Sequence, residues 1–213
     1  MVLKMDALIV PAIIAKTQGE LDWMLERPRG KVERIMLDVM DGEFVPNTSL
    51  DFDFELPAGF EYEAHLMVMK PLEWVEENAE KVDIAILHVE TLDDVARSIE
   101  YVKSNGLKVT LALKPETDLE TAFQHLQDVH GILVLTVDPG RYGGRFLPKA
   151  LGKIKRLREM DASISIEVDG GMNPANARLA REHGANVFAS GSHIFKSSDI
   201  DRAIKELEAA VSR

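Results

Sequence analysis

Val32-Glu33-Arg34-Ile35-Met36-Leu37-Asp38-Val39-Met40-Asp41-Gly42 reads as a short apolar strand that ends on a carboxylate, with Asp41-Gly42 as the turn that follows. The same grammar recurs along the chain. Apolar, β-branched runs also begin near Ala7 (ALIVPAII), Tyr62 (YEAHLMV), Asp83 (DIAILHVE), Leu107 (LKVTLAL), Gly131 (GILVLTV), Ser163 (SISIEVD) and Ala185 (ANVFASG), which makes eight strands in all. They lie too far apart for hairpins and are spaced for one crossover helix each, so parallel pairing follows. Helical punctuation fills the gaps: Thr17-x-x-Glu20 and Thr117-x-x-Glu120 read as capping boxes, and Asn173-Pro174 as an N-cap before a first-turn proline. In the last segment Ile200, Ala203, Ile204, Leu207 and Val211 share one face, so that helix packs on one side. Eight alternations favour a closed TIM (β/α)8 barrel over an open doubly wound sheet, and in either fold function belongs at the strand C-termini.

The bulk properties agree with one domain spanning residues 1–213. Hydrophobic residues make up 46% and charged residues 29%, and no apolar run reaches membrane length, so the expectation is a water-soluble protein. The apolar run near the start carries Asp6 ahead of it and Pro11 within it, which suits a buried first strand better than a secretory signal. The chain has no cysteine, which excludes disulfides and thiolate metal sites and suits a cytoplasmic location. A net charge of −11 argues against nucleic acid as a partner. Any anionic ligand must therefore be held by local groups.

Three ionisable residues end separate strands. Alternation puts Met36 and Asp38 on one face of the second run, toward the barrel interior if Ile35 and Leu37 face the helices. His65 ends the third run in His65-Leu66-Met67-Val68, and Asp169 ends the seventh in Glu167-Val168-Asp169-Gly170-Gly171. Two carboxylates and an imidazole converging on one mouth can hold a divalent cation. Two carboxylates on opposite sides of a carbon can also remove and replace its proton. Asp in these loops also commonly caps a turn or helix, and single histidines are commonly core residues.

Glycines cluster after the last three runs: Pro139-Gly140-Arg141-Tyr142-Gly143-Gly144, then Gly170-Gly171, then Gly191-Ser192. Such loops let backbone N–H groups approach phosphate oxygens, and a short helix from Ser192 would add its positive end. Arg145 is expected to face solvent.

At these residues the sequence resembles the ribulose-phosphate 3-epimerase family along nearly its whole length. The motifs are Val10-Pro11-Ala12-Ile13-Ile14, Asp38-Val39-Met40-Asp41-Gly42-Glu43-Phe44-Val45-Pro46-Asn47, His65-Leu66-Met67-Val68, His88-Val89-Glu90, Thr136-Val137-Asp138-Pro139-Gly140 and Val168-Asp169-Gly170-Gly171. The resemblance implies a ribulose-phosphate-binding barrel that interconverts D-ribulose 5-phosphate and D-xylulose 5-phosphate by 1,1-proton transfer through an enediolate. It implies Asp38 and Asp169 as acid and base, and Asp38, His65 and Asp169 as ligands of a divalent metal (Zn, Fe, Mn or Co). It further implies contacts to a small phosphorylated sugar from His65, Met40, Met67, Gly143, Gly144, Gly170, Gly171, Gly191 and Ser192, and it is compatible with a homo-oligomer. Three departures matter. Met36 stands where the family has a fourth metal ligand, a histidine, and a thioether is a poor replacement, so metal affinity is expected to be weakened or lost. Ala12 replaces a serine that would touch substrate. Arg141-Tyr142 rewrites the loop over the phosphate. An epimerase or isomerase of another sugar phosphate, or a non-catalytic phosphosugar-binding relative, therefore stay open as alternatives.

Overall fold

A strand whose two faces are both covered can be apolar throughout, and the burial of these segments follows that rule: every residue of Ile84–His88 and of Gly131–Leu135 is buried. The computed structural model describes residues 5–139 and 143–212. Among them are the strands β1 (Leu8–Ile13), β2 (Arg34–Asp41), β3 (Thr48–Ser49), β4 (Glu61–Met67), β5 (Ile84–His88), β6 (Lys108–Leu113), β7 (Gly131–Leu135), β8 (Ser165–Asp169) and β9 (Val187–Ser190). All but β3 run parallel in one ring. The ring closes because β1 pairs with β9 on one side (Leu8↔Val187 to Pro11↔Ser190) and with β2 on the other (Ala12↔Met36, Ile13↔Leu37). The fold is thus the expected parallel eight-stranded TIM barrel, not an open sheet.

The helices are α1 (Gln18–Glu26), α2 (Pro71–Asn78), α3 (Val95–Ser104), α4 (Glu120–Phe123), α5 (Ala150–Met160), α6 (Pro174–Glu182), α7 (Ser192–Phe195) and α8 (Ile200–Val211). Their caps follow the sequence at two of three expected places. Thr17 Oγ1 accepts from Glu20 N–H at 3.3 Å while the Glu20 carboxylate accepts from Lys16 N–H at 2.8 Å. Asn173 Oδ1 accepts from the N–H groups of Ala175 and Asn176, both at 3.0 Å, ahead of Pro174. Thr117 is the exception: its hydroxyl donates to Glu90 instead of capping α4, which begins with no side-chain cap. The apolar face of α8 is buried as its spacing requires.

The expectation that every gap holds a helix fails between β2 and β4. Pro46 and Pro57 lie in that segment, where a ring without an N–H disfavours helix, and the chain instead forms β3, antiparallel to β2 through Met40↔Ser49 and Asp41↔Thr48. Extended chain carrying buried Phe54 and half-buried Phe52 packs there against the outer core. β3 also ties down the end of β1, since Ala15 N–H donates to Ser49 Oγ at 3.1 Å and Leu50 N–H to the Ala15 carbonyl at 2.8 Å.

The outer core lies between strands and helices, and a separate inner cluster fills the barrel axis with Val10, Ala12, Met36, Ile84, Ile86, Leu133 and their neighbours. Beyond the inner cluster, toward the strand C-termini, Met40, Val45 and Met67 form a small apolar group. No helix among the described residues is long and apolar enough to cross a membrane.

Candidate active site

Strand register does the placing. β2 and β4 pair so that Asp38 stands beside His65 and Met40 beside Met67, while Asp169 on β8 lies between Leu135 on β7 and Ala189 on β9. His65 Nδ1 is 3.1 Å from Asp38 Oδ1 and 3.6 Å from Asp169 Oδ2. One ligand atom from each of the three residues lies within 4.8 Å of the others. Two carboxylate oxygens and one imidazole nitrogen make a donor set suited to Zn²⁺, Fe²⁺, Mn²⁺ or Co²⁺, so these three residues fit a divalent cation. Met36 belongs to the fully buried inner cluster with Val10, Ala12 and Ile84. Its thioether thus lies in the hydrocarbon layer under the triad.

The electrostatics of the triad follow from burial and mutual charge. Burial, reinforced by the neighbouring Asp38 charge, pushes the Asp169 carboxyl up to about 7. Burial alone would lower the His65 imidazole, but the hydrogen bond and charge of Asp38, with Asp169 behind it, hold it above its usual value. Deeper in the barrel Glu63 and Glu167 are both buried. Arg34 sits 3.1 Å from Glu63 Oε2 and 2.7 Å from Glu61. Neither Glu63 Oε1 nor Glu167 Oε1 meets an N–H or O–H donor. Burial, then the Glu63 charge, raises Glu167 well above its usual value, and burial raises Glu63 as well against the pull of Arg34.

Asp38 and Asp169 open into one cavity, which Met40, Met67 and Ala12 also line. Its remaining wall carries Gly143, Gly144, Gly170, Gly171, Gly191 and Ser192, so the expected carboxylates, methionines and phosphate loops share one space. His65 is the expected residue that does not line it: fully enclosed, it stands behind the carboxylates. Gly140, Arg141 and Tyr142 lie outside the described residues, and Arg145 is exposed as expected. The Gly170-Gly171 turn needs glycine on two counts. Gly170 has φ +107° and a Cβ there would stand 2.4 Å from Val137 Cγ2, while Gly171 has φ +66° and closely approaches the Gly144 carbonyl. Thr136 fastens this turn by donating its N–H to the Asp169 carbonyl at 2.8 Å, and its hydroxyl lies 2.5 Å from the Gly170 carbonyl oxygen.

In the sequence, His88-Val89-Glu90 belongs to the family resemblance but carries no assigned role. The structure puts His88 Nε2 3.0 Å from His65 Nε2 and His88 Nδ1 3.1 Å from Glu90 Oε2. Glu90 Oε1 accepts from Lys114 N–H at 2.9 Å and from the Thr117 hydroxyl. Against the effect of burial, the hydrogen bonds from His88, Thr117 and Lys114 N–H hold Glu90 down to about 2, while burial lowers His88 to about 4. The signal was the strand position of His88, which pairs in register with Ala112 and continues the inward series Ile84, Ile86.

The family model of the ribulose-phosphate 3 epimerase family matches residues 7–195, which takes in every strand of the barrel and all three triad residues. The chain belongs to the ribulose-phosphate 3-epimerase family. Curated members of that family include the ribulose-phosphate 3-epimerase of Methanocaldococcus jannaschii, 37% identical over 191 residues (84% of this chain, 80% of the relative). The Chlamydia muridarum ribulose-phosphate 3-epimerase is 33% identical over 220 residues, covering 96% of this chain and 95% of the relative. Among solved structures, a 3-hexulose-6-phosphate synthase superposes with a TM-score of 0.66 at 15% identity, covering 96% of this chain and 99% of that one. A KGPDC from Streptococcus mutans gives 0.68 at 14% identity, covering 97% and 98%. At such identities these two likenesses concern the fold alone.

Proposed function

We propose that this member of the ribulose-phosphate 3-epimerase family interconverts D-ribulose 5-phosphate and D-xylulose 5-phosphate. The observation that carries this reading is that Asp38 on β2 and Asp169 on β8 open into one cavity with the glycine loops. A phosphate seated on the backbone N–H groups of those loops would hold the sugar by its unreactive end. The carbon to be inverted would then lie between the two acids. One carboxylate takes the proton from C3 and the other returns a proton to the opposite face. Asp169, held near 7, is suited to carrying a proton at neutral pH. Met40 and Met67 exclude water from the planar intermediate, which strengthens every charge interaction around it. A divalent cation bound by Asp38, His65 and Asp169 would polarise the adjacent carbonyl and offset the charge that develops on its oxygen.

The test is turnover of ribulose 5-phosphate in a coupled assay with added divalent metal, together with solvent deuterium uptake at C3. Asp38→Asn and Asp169→Asn are each expected to lower kcat by about 10²–10⁴. No turnover by the wild type above the Asp38→Asn control rejects the proposal. One observation favours a different sugar phosphate: Ala12 places a methyl group in the cavity wall where the family pattern has a serine hydroxyl. A panel of phosphorylated ketoses separates the two readings, by whichever substrate has the largest kcat/KM.

A further inference from the structure

We infer that Glu90 and His88 form a positioning relay that fixes which nitrogen of His65 faces the two acids. Hydrogen-bond polarity can be followed from one end to the other. Glu90 Oε1 faces the Lys114 N–H at 2.9 Å, which can only donate, and the Thr117 hydroxyl supplies a second donor. The Glu90 carboxylate then accepts from His88, so His88 carries its proton on Nδ1, 3.1 Å from Oε2. A neutral imidazole protonated on Nδ1 offers a lone pair on Nε2. His88 Nε2 lies 3.0 Å from His65 Nε2, so His65 must donate there and holds a proton on Nε2. The nitrogen left facing Asp38 and Asp169 is Nδ1, at 3.1 and 3.6 Å, and without a cation it donates a second proton to Asp38 Oδ1, a proton that a bound cation would displace.

The two histidines of the relay are enclosed, while Glu90 reaches the surface. His65 and His88 are both fully buried, their rings stack at 23° with centroids 5.1 Å apart, and the Phe44 ring packs 4.7 Å from His88. Neither ring can turn without losing a partner. Partners of this kind, one bond behind a metal-binding imidazole, commonly set its tautomer and its affinity. In a site with Met36 in place of a fourth nitrogen donor, a permanently oriented Nδ1 on His65 weighs more heavily in the affinity that is left. This inference rests on the reading of Asp38, His65 and Asp169 as cation ligands.

Glu90→Gln is the discriminating substitution because it is isosteric and opposite in polarity. The amide carbonyl can still accept from Lys114 and Thr117, while its NH₂ group now donates to His88 Nδ1. The bonds from Glu90 to His65 Nε2 would then reverse, leaving the only proton of His65 on Nδ1, where a cation should bind. Two-bond ¹H–¹⁵N spectra of histidine-labelled protein, recorded without metal and with Zn²⁺, read the tautomers directly. Calorimetric titration with Zn²⁺ reads the affinity. The expected wild-type result is a proton on His65 Nε2 and on His88 Nδ1. The expected variant result is the reversed pattern with a roughly 10–100-fold weaker Zn²⁺ affinity. A wild-type His65 with a bare Nε2 overturns the relay, as does a Glu90→Gln protein with wild-type tautomers and affinity. The wild-type spectrum decides the question even where the variant does not fold. Wild-type protein with the expected tautomers but no Zn²⁺ binding supports the relay and overturns the cation reading under the proposed function.

Discussion

Asp169 carries a charge problem that the proposed chemistry uses and folding resists. Its carboxyl is held at about 7, chiefly by burial and then by the charge of Asp38, whereas an aspartate in the unfolded chain titrates near about 4. Between those values the metal-free folded protein keeps a proton that the unfolded chain has released. Stability therefore falls as pH rises through this window and stays low above it. Asp169→Asn removes the titration. The metal-free variant is expected to melt several degrees higher than the wild type at pH 8, with the difference shrinking toward pH 4, while turnover is lost. Melting curves at the two pH values check this, and an unchanged difference between them would contradict it. Met36 poses the complementary problem. Met36→His would put an imidazole into a hydrocarbon layer, costing about 1–3 kcal/mol where it finds no partner. We expect a lower Tm than wild type without metal and a larger Tm rise on adding Zn²⁺, measured side by side in the same titration. A variant with the wild-type zinc response would remove the fourth-donor explanation for this position.

Elements position these residues through their ends. α6 starts three residues after Gly171; Asn173 caps it by accepting from the Ala175 and Asn176 N–H groups, and the Asn176 side-chain amide donates back to the Gly171 carbonyl. Asn173→Ala is expected to cost about 1 kcal/mol, the usual worth of such a cap, which is about 2–4 °C of Tm in a domain of this size. Because the same turn lines the cavity, KM for the phosphorylated substrate should rise while kcat changes little. A fall in kcat at constant KM would mean that the turn serves the proton transfer instead. The strands and this cap were legible in the sequence, since buried parallel strands announce themselves as apolar runs and Asn-Pro marks a helix start through local geometry. Thr117 was not. Its Thr-x-x-Glu spacing fits a capping box, but a long-range partner, Glu90, takes the hydroxyl. The β2–β4 connection was misjudged for a related reason: strand spacing leaves room for a helix but does not require one, and β3 forms there through pairing with β2.

Across the whole molecule, the candidate site was readable to the extent that strand ends are readable. Asp38, His65 and Asp169 each stand in the C-terminal half of an apolar strand, and the barrel brings such ends to one mouth. What lay beyond reach was depth. His65 and His88 look alike in sequence as strand-end histidines, yet only the three-dimensional register puts one against the acids and the other against the first. The buried Glu63 and Glu167 likewise come from strands more than a hundred residues apart, and nothing local links them. The closing contact of the ring, Leu8 through Pro11 against Val187 through Ser190, has a consequence for the birth of the protein. On the ribosome, β1 emerges early with one flank unsatisfied and must wait for β9. Until that last partner is translated, an exposed strand edge invites self-association. The proposed chemistry would wait as well, because it needs Asp38 on β2 together with Asp169 on β8, strands far apart along the polypeptide. Competence should therefore arrive in a single late event, when the circle of strands shuts.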